Sequence, residues 1–152
     1  MSISLEFATY CKSLDLKFTP LRKDILYILW HAKKPLKAYE ILEKLLETKN
    51  NSTPPTVYRV LIFFLESGIV HKIESIQSYT LCSAPKKQFS SELLMVCNDC
   101  HSVSEIYDAA MRLLILKLTD ALSFQLSQDA IELKGSCKSC SMLKNSRVAI
   151  DF

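Results

Sequence analysis

Two Cys-x-x-Cys motifs constrain the fold of this chain more than any other feature of its sequence. Cys97 and Cys100 form the first motif, Cys137 and Cys140 form the second, and 36 residues lie between them. Two residues between paired cysteines let both sulfurs face one ion, and four thiolates are a typical ligand set of structural zinc. We therefore predict one structural zinc per chain, with half of its ligands from each motif. The gap is about twice the usual 15 to 20 residues of a zinc ribbon, which predicts a helix and strands between the motifs.

Disulfides and a thiol redox centre are the alternatives for these cysteines. Disulfides belong mainly to secreted proteins, but the N-terminus contains Glu6 and lacks the basic start of a signal peptide. The longest stretch without a charged residue is 75–85, far shorter than the ~18 apolar residues of a membrane span. We therefore expect a cytoplasmic protein with no membrane partner. A redox dithiol would leave the second motif without a role, so a thiol-disulfide redox protein is retained as the alternative from another functional class.

The charge distribution places any attraction for phosphate in the first half of the chain. The net charge of +3 arises from residues 1–82, whereas residues 83–152 contain equal numbers of basic and acidic side chains. Four thiolates bound to one divalent ion would make the second half net negative. A partner such as nucleic acid is therefore expected to bind residues 1–82.

Helix signals dominate residues 1–82. A modest amphipathic helix is predicted over residues 2–16, with Leu5, Tyr10 and Leu14 as its apolar residues. Thr19 and Pro20 form an N-cap and first-turn pair that begins a core helix. A second stripe of apolar residues covers 38–48, and a third helix over 56–67 follows two prolines and ends before a glycine.

Arg59 is the candidate for contact with DNA bases. It lies in the first turn of the predicted third helix, where the helix dipole disfavours a cation unless an anion is bound. Helix-turn-helix proteins present this part of their second helix to the major groove, where arginine binds guanine O6 and N7. An ordinary solvated arginine is the alternative. Tyr39, near the edge of the preceding apolar stripe, is by itself typical of a half-buried surface tyrosine.

Two short alternating stretches, 70–75 and 78–82, predict a β-hairpin that would be the wing of a winged helix. A turn centred on Ile76 and Gln77 pairs residues whose numbers sum to 153, so that His71 faces Cys82. Directly opposed Cβ atoms lie about 4.5 to 5.5 Å apart. An imidazole and a thiolate in this register could share a metal ion.

The second half predicts a small α/β unit. Residues 83–91 lack periodicity and indicate a hinge. Strands are predicted over 93–96, 102–106, 124–126 and 130–133, and a helix over 108–122. That helix is apolar on nearly every side, more than so small a domain can bury, so a partner subunit is expected. The tail after Cys140 carries no structural signal.

Taken together, the runs at 55–59 (Pro-Thr-Val-Tyr-Arg) and 68–72 (Gly-Ile-Val-His-Lys) and the two cysteine motifs resemble the ferric uptake regulator family, in particular its zinc uptake regulator branch. The resemblance covers nearly the whole chain. It implies an α+β fold: a winged helix-turn-helix DNA-binding domain over 1–82, a hinge over 83–91, and an α/β dimerisation domain with the four-cysteine zinc site over 92–152. It also implies a zinc-responsive repressor without enzymatic activity or a small-molecule substrate. Such a repressor would bind palindromic operator DNA as a homodimer and repress zinc uptake genes.

The same resemblance implies a second, regulatory zinc per chain with the ligands His71, Cys82 and Glu105. The branch has a histidine on the hinge where this chain has Ser90. The fourth ligand is therefore left open. Its candidates are Ser90, Glu92, His101 and water. The side chains implied to approach DNA are Tyr39, Thr56, Tyr58 and Arg59. A member of the family with structural zinc only, or one that senses another metal, is the remaining alternative.

Overall fold

The computed structural model describes residues 4–49, 52–85, 93–125 and 131–148. The chain divides into two compact units, Met1–Gln88 and Phe89–Phe152. Their internal structures are described separately. Within the described ranges, no helix is long and apolar enough to cross a bilayer.

In the N-terminal unit, four helices precede a two-stranded hairpin within the described residues. The elements are α1 (Leu5–Ser13), α2 (Pro20–His31), α3 (Ala38–Leu46), α4 (Pro54–Glu66), β1 (Val70–Ile73) and β2 (Ser78–Leu81). As predicted, Thr19 caps α2, since its hydroxyl accepts a hydrogen bond from the Arg22 N–H at 3.3 Å, and Pro20 occupies the first helical position. The N-terminal end of α2 thus follows from local chemistry.

One hydrophobic core joins the four helices to the hairpin. Its fully buried side chains include Phe7, Ile25, Leu26, Ile41, Leu45, Leu61 and Phe64. The prediction for α1 was wrong at Leu5, which is 84% exposed, whereas Leu14 is buried and Tyr10 packs against the core as expected. It missed Phe7, which is 1% exposed. Phe7 makes edge contacts with the rings of Tyr27 and Trp30, at centroid distances of 5.0 and 5.9 Å. These aromatic contacts decide which face of α1 is buried.

The hairpin forms as predicted, but its strand pairing is shifted by two residues from the predicted register. His71 pairs with Thr80, not with Cys82. The cause is the turn: Glu74 begins a short 3-10 turn, and Gln77 adopts a left-handed conformation at φ 49° and ψ 45°. The side-chain amide of Gln77 donates to the Glu74 carbonyl at 2.8 Å. The turn therefore takes up residues 74–77, and the first strand ends at Ile73.

In the C-terminal unit, the described residues form a three-stranded sheet with two helices. The elements are β3 (Leu93–Cys97), β4 (Val103–Ile106), α5 (Ala109–Ala121), β5 (Ile131–Gly135) and α6 (Lys138–Val148). The strand order is β4-β3-β5, with β3 antiparallel to β4 and parallel to β5. The strand expected over 124–126 is absent at Phe124 and Gln125, which follow α5 as irregular backbone, while residue 126 lies outside the described ranges. The helix α6 was not predicted.

The parallel pairing of β3 with β5 brings the two cysteine motifs together. Cys97 ends β3 and pairs with Gly135, which ends β5. Because parallel strands have their carboxyl ends at the same edge of the sheet, the turn after each strand lies at that edge. The backbone N–H of Asn98 donates to the Gly135 carbonyl at 2.8 Å, which extends the pairing into the first motif.

Candidate metal sites and nucleic-acid interface

The sulfur atoms of the two motifs form one cluster. The four sulfurs of Cys97, Cys100, Cys137 and Cys140 all lie within 4.8 Å of one another, and those of Cys100 and Cys137 are 3.8 Å apart. All four are free cysteines. Zinc–sulfur bonds of about 2.3 Å in a tetrahedron put neighbouring sulfurs about 3.8 Å apart. The donor set and its spacing fit zinc.

A backbone N–H group and a hydroxyl group also contact these sulfurs. The N–H of Cys137 donates to the Cys97 sulfur at 3.3 Å, so the second motif makes a hydrogen bond to the first. The sulfur of Cys100 lies 3.2 Å from the Ser102 hydroxyl. Hydrogen bonds of this kind hold metal ligands in place and adjust their basicity.

The surroundings of the cluster move the pKa values of Cys97 and Cys140 in opposite directions. Backbone N–H groups of Cys100 and Cys137 lower the pKa of Cys97 to about 6. Hydrogen bonds with the thiols of Cys137 and Cys100 raise the pKa of Cys140 to about 12. One sulfur therefore ionises readily while another resists, because backbone N–H groups favour the thiolate of Cys97 and hydrogen bonds with neighbouring thiols favour the protonated form of Cys140. A divalent cation is the charge that makes four adjacent thiolates stable, and its binding releases protons.

Three polar side chains lie around the cysteine cluster. Asp99 forms an ion pair with Lys144 at 2.6 Å and accepts a hydrogen bond from the Ser136 hydroxyl at 2.7 Å. These hydrogen bonds lower the pKa of Asp99, and the carboxylate raises the pKa of Lys144. Sequence reasoning identified none of the three as a site residue. The available signal was the spacing of Lys144, four residues after Cys140, which places both on one face if a helix follows the second motif.

The hairpin holds two further ligand groups. A nitrogen of His71 and the sulfur of Cys82 lie within 4.8 Å of each other, and Cys82 is buried. The prediction that His71 and Cys82 are directly opposed was wrong, but their side chains are still close together. Cys82 lies two residues beyond Thr80, the partner of His71, and therefore projects from the same face of the hairpin. Diagonal neighbours are within reach of long side chains such as histidine.

The remaining predicted ligands belong to the second unit or lie outside the described residues. Glu105 is on β4, where the Tyr107 hydroxyl donates to its carboxylate. Tyr107 was not singled out from the sequence, although an i, i+2 spacing puts two strand residues on one face. His101 is exposed after the first motif, in a left-handed conformation at φ 58°. Ser90 and Glu92 lie outside the described residues.

The predicted DNA-contacting side chains are exposed on α3 and α4. Tyr39 is 68% exposed and Tyr58 is 50% exposed. Thr56 is half-buried, and its hydroxyl is 2.8 Å from that of Thr53. Arg59 is exposed and makes no hydrogen bond or ion pair to any residue that the structure describes. The first turn of α4 contains no acidic residue that would repel phosphate.

The expected position of Arg59 within its helix needs correction. The helix was predicted over 56–67 but spans Pro54–Glu66, so Arg59 is its sixth residue and lies in the second turn. Since the effect of the helix dipole fades beyond the first turn, it no longer argues strongly for an anion at this side chain. Exposure and the lack of a partner among described residues are the better arguments.

The model of the ferric uptake regulator family matches residues 13–134. The chain belongs to the ferric uptake regulator family. Members of this family are transcription regulators, so the predictions of the family, of its α+β fold with a winged helix-turn-helix, and of a regulator that is not an enzyme are confirmed.

Within the ferric uptake regulator family, the chain is similar to zinc regulators. The zinc uptake regulation protein of Escherichia coli (strain K12) is 32% identical over 130 residues, which are 86% of this chain and 76% of that protein. The protein of the same name from Shigella flexneri matches to the same extent.

Solved structures show the same relationship. A zinc uptake regulator complexed with zinc and DNA has a TM-score of 0.81 at 29% identity, covering 95% of this chain and 99% of that one. The structure of holo XcZur has a TM-score of 0.78 at 31% identity, covering 91% and 99%. The ferric uptake regulator of Helicobacter pylori, at 20% identity and a TM-score of 0.56 over 92% of each chain, shares the fold.

Proposed function

We propose that this chain is a zinc-responsive transcriptional repressor. It acts in the cytoplasm as a homodimer, binds palindromic operator DNA when zinc is plentiful, and represses genes of zinc uptake. The observation that supports this most strongly is its similarity, over 95% of its length, to a zinc uptake regulator solved with zinc and DNA.

The four-cysteine cluster is the structural site in this proposal. Cys97, Cys100, Cys137 and Cys140 hold one zinc, whose double positive charge stabilises the adjacent thiolates. The chain's own contribution is the pairing of β3 with β5, which presents both motifs at one edge of the sheet. The site therefore joins the start and the end of the C-terminal unit.

The sensing site in this proposal uses ligands from both units. His71 and Cys82 come from the hairpin, Glu105 comes from β4, and the fourth ligand is Ser90, Glu92, His101 or water. Ligands from two units restrict how the units move relative to each other. Zinc shifts the population toward the DNA-binding arrangement only if it binds that arrangement more tightly than the others. The Tyr107 hydroxyl orients the Glu105 carboxylate for this role.

The DNA-binding part of the proposal concerns α4 and the exposed side chains around it. Arg59 binds a guanine edge in the major groove, and Tyr39, Thr56 and Tyr58 contact the surrounding bases and backbone. A homodimer places two copies of α4 in half-sites separated by one or more turns of about 34 to 36 Å. The exposed apolar face of α5, which has no buried residue, provides the dimer surface.

Zinc counting combined with DNA selection tests the proposal. The full-length protein is used to select sequences from a randomised DNA duplex pool, with zinc and with a chelator. We expect two zinc ions per chain and selection of a palindrome only with zinc. His71→Ala and Cys82→Ser should keep one zinc and lose zinc-dependent DNA binding. Cys97→Ser should unfold the C-terminal unit or produce monomers.

The same experiment, extended to other metals and to a titration of the free thiols, distinguishes the alternatives. One zinc per chain with selection unaffected by chelator would identify a DNA-binding protein with structural zinc only. Restoration of selective binding by iron or manganese, but not by zinc, would identify another sensed metal. A thiol-disulfide redox protein would show cysteines that titrate equally with and without chelator.

A further inference from the structure

Asp99, Ser136 and Lys144 form a closed triangle of polar contacts beside the four cysteines. The Lys144 ammonium is 2.6 Å from Asp99 Oδ1 and 3.3 Å from the Ser136 hydroxyl, which in turn donates to Asp99 Oδ2 at 2.7 Å. Asp99 lies inside the first motif, Ser136 directly precedes the second, and Lys144 is on α6 after it. The triangle therefore links the two motifs independently of the sulfur atoms.

The position of Asp99 creates an electrostatic problem for a metal-bound state. Its Oδ2 atom accepts a long hydrogen bond from the Cys97 thiol, with 4.0 Å between oxygen and sulfur. A cysteine that binds zinc does so as thiolate, so that hydrogen bond is lost and two anions then face each other. A carboxylate at this distance would repel the ligand unless a cation neutralises it.

Lys144 is placed to provide that cation. Its ammonium contacts the carboxylate directly and also lies within hydrogen-bond distance of the Ser136 hydroxyl. Zinc with four thiolates carries a net charge of −2, which a nearby cation also stabilises. As an ion pair exposed to water, Lys144 and Asp99 contribute little to folding by themselves. Their effect is expected on the metal site.

We propose that Lys144 is a positioning residue that helps the four-cysteine site to retain zinc. Lys144 neutralises the Asp99 carboxylate, and its contact with Ser136 holds the two motifs together. This inference rests on the proposed function in one respect, that the four cysteines bind zinc. Hydrogen-bond partners around metal ligands commonly change metal affinity 10- to 100-fold when they are removed. Lys144→Met keeps the length of the side chain and removes its charge.

The test measures the rate at which zinc passes from the full-length protein to the colorimetric chelator 4-(2-pyridylazo)resorcinol. All variants carry His71→Ala, so that zinc from the sensing site does not contribute. Lys144→Met should release zinc about 10- to 100-fold faster than the Lys144 parent. Adding Asp99→Asn should return the rate toward that of the parent, because the unneutralised carboxylate is gone. Lys138→Met is the matched control. It removes an equal charge between the cysteines of the second motif, where no described contact joins Lys138 to Asp99 or Ser136, and it should accelerate release much less than Lys144→Met.

The outcomes separate this inference from the proposed function. If the parent holds no zinc, the four-cysteine site itself is refuted. If the parent holds zinc but Lys144→Met releases it at the parent's rate, the role of Lys144 is refuted. It is also refuted if Asp99→Asn fails to slow release from the Lys144→Met protein, or if Lys138→Met accelerates release equally. Circular dichroism of each zinc-loaded variant identifies any that fail to fold. If Lys144→Met misfolds and the added Asp99→Asn restores the fold, that result would support the role of Lys144.

Discussion

At the scale of single residues, α4 separates its two faces sharply. Val57, Val60 and Leu61 are buried in the core, whereas Tyr58 and Ile62 are each about half exposed and flank Arg59. Large side chains that remain exposed beside a cation without a described partner are typical of a binding surface. Arg59 is the member of this group whose substitution has the clearest expected effect.

Arg59→Ala should weaken binding to the selected operator by about 1 to 3 kcal/mol and relax the preference at one base position in each half-site. The reason is the loss of two hydrogen bonds to a guanine edge. Fluorescence anisotropy with the selected duplex and with single-base variants measures both effects. Arg59→Lys is the control, since it keeps the charge but not the bidentate geometry. It should retain affinity for non-specific DNA and lose base preference. An unchanged base preference in both variants would show that Arg59 does not contact bases.

At the scale of elements, α5 depends on local signals more than any helix of the N-terminal unit. No residue of α5 is buried within its own chain, so the hydrophobic core contributes little to its formation. Its start is well defined, because Asp108 accepts hydrogen bonds from the N–H groups of Ala110 and Met111 at 2.8 and 3.0 Å. Such an N-cap satisfies backbone donors that otherwise lack partners.

Asp108→Ala should lower the free energy of unfolding by about 0.5 to 2 kcal/mol. Urea unfolding of the zinc-loaded protein measures this, at one fixed protein concentration because an oligomer's stability depends on it. Asp108→Asn keeps the acceptor oxygen and should remain close to the parent. Equal loss of stability in both variants would point to the charge of Asp108 rather than to its hydrogen bonds.

At the scale of the whole molecule, exposed apolar surface is concentrated in the C-terminal unit. Among its described residues, the exposed large hydrophobic side chains are Met95, Tyr107, Met111, Leu113, Leu114, Leu116, Leu118, Leu122, Phe124, Leu133, Met142 and Leu143. A single chain rarely leaves so many such side chains on one element and its neighbours in water. A second copy that covers them is the arrangement that this composition favours.

Leu113→Glu and Leu118→Glu test this surface at two positions five residues apart on α5, which therefore face different directions. A charge buried without a partner in a dimer interface costs several kcal/mol. At least one variant should be monomeric at concentrations where the parent is dimeric, as measured by sedimentation velocity. Leu5→Glu, at a site 84% exposed on α1, should leave the oligomeric state unchanged. Dimers in both α5 variants would exclude this helix from the interface.

Features set by neighbouring residues could be predicted from the sequence. The start of α2 at Thr19 and Pro20 follows from capping chemistry that acts over three residues. The spacing within each cysteine motif likewise restricts its two sulfurs to one ion. Arg59 was inferred from its place in the third helix, and the pair of His71 and Cys82 was inferred from the hairpin. The other DNA-contacting and sensing residues came from resemblance to the family, and all of these roles stay predictions.

Only the tertiary structure decided the hairpin register and the features that depend on residues far apart in the chain. The hairpin register was mispredicted because no glycine marks the turn, and Gln77 adopts the left-handed conformation in its place. The meeting of the two cysteine motifs depends on the parallel pairing of β3 with β5, and the ion pair of Lys144 with Asp99 depends on α6. Local propensity acts over a few residues, whereas the pairing of β3 with β5 and the ion pair join positions about 40 apart and are selected by how the strands and helices pack.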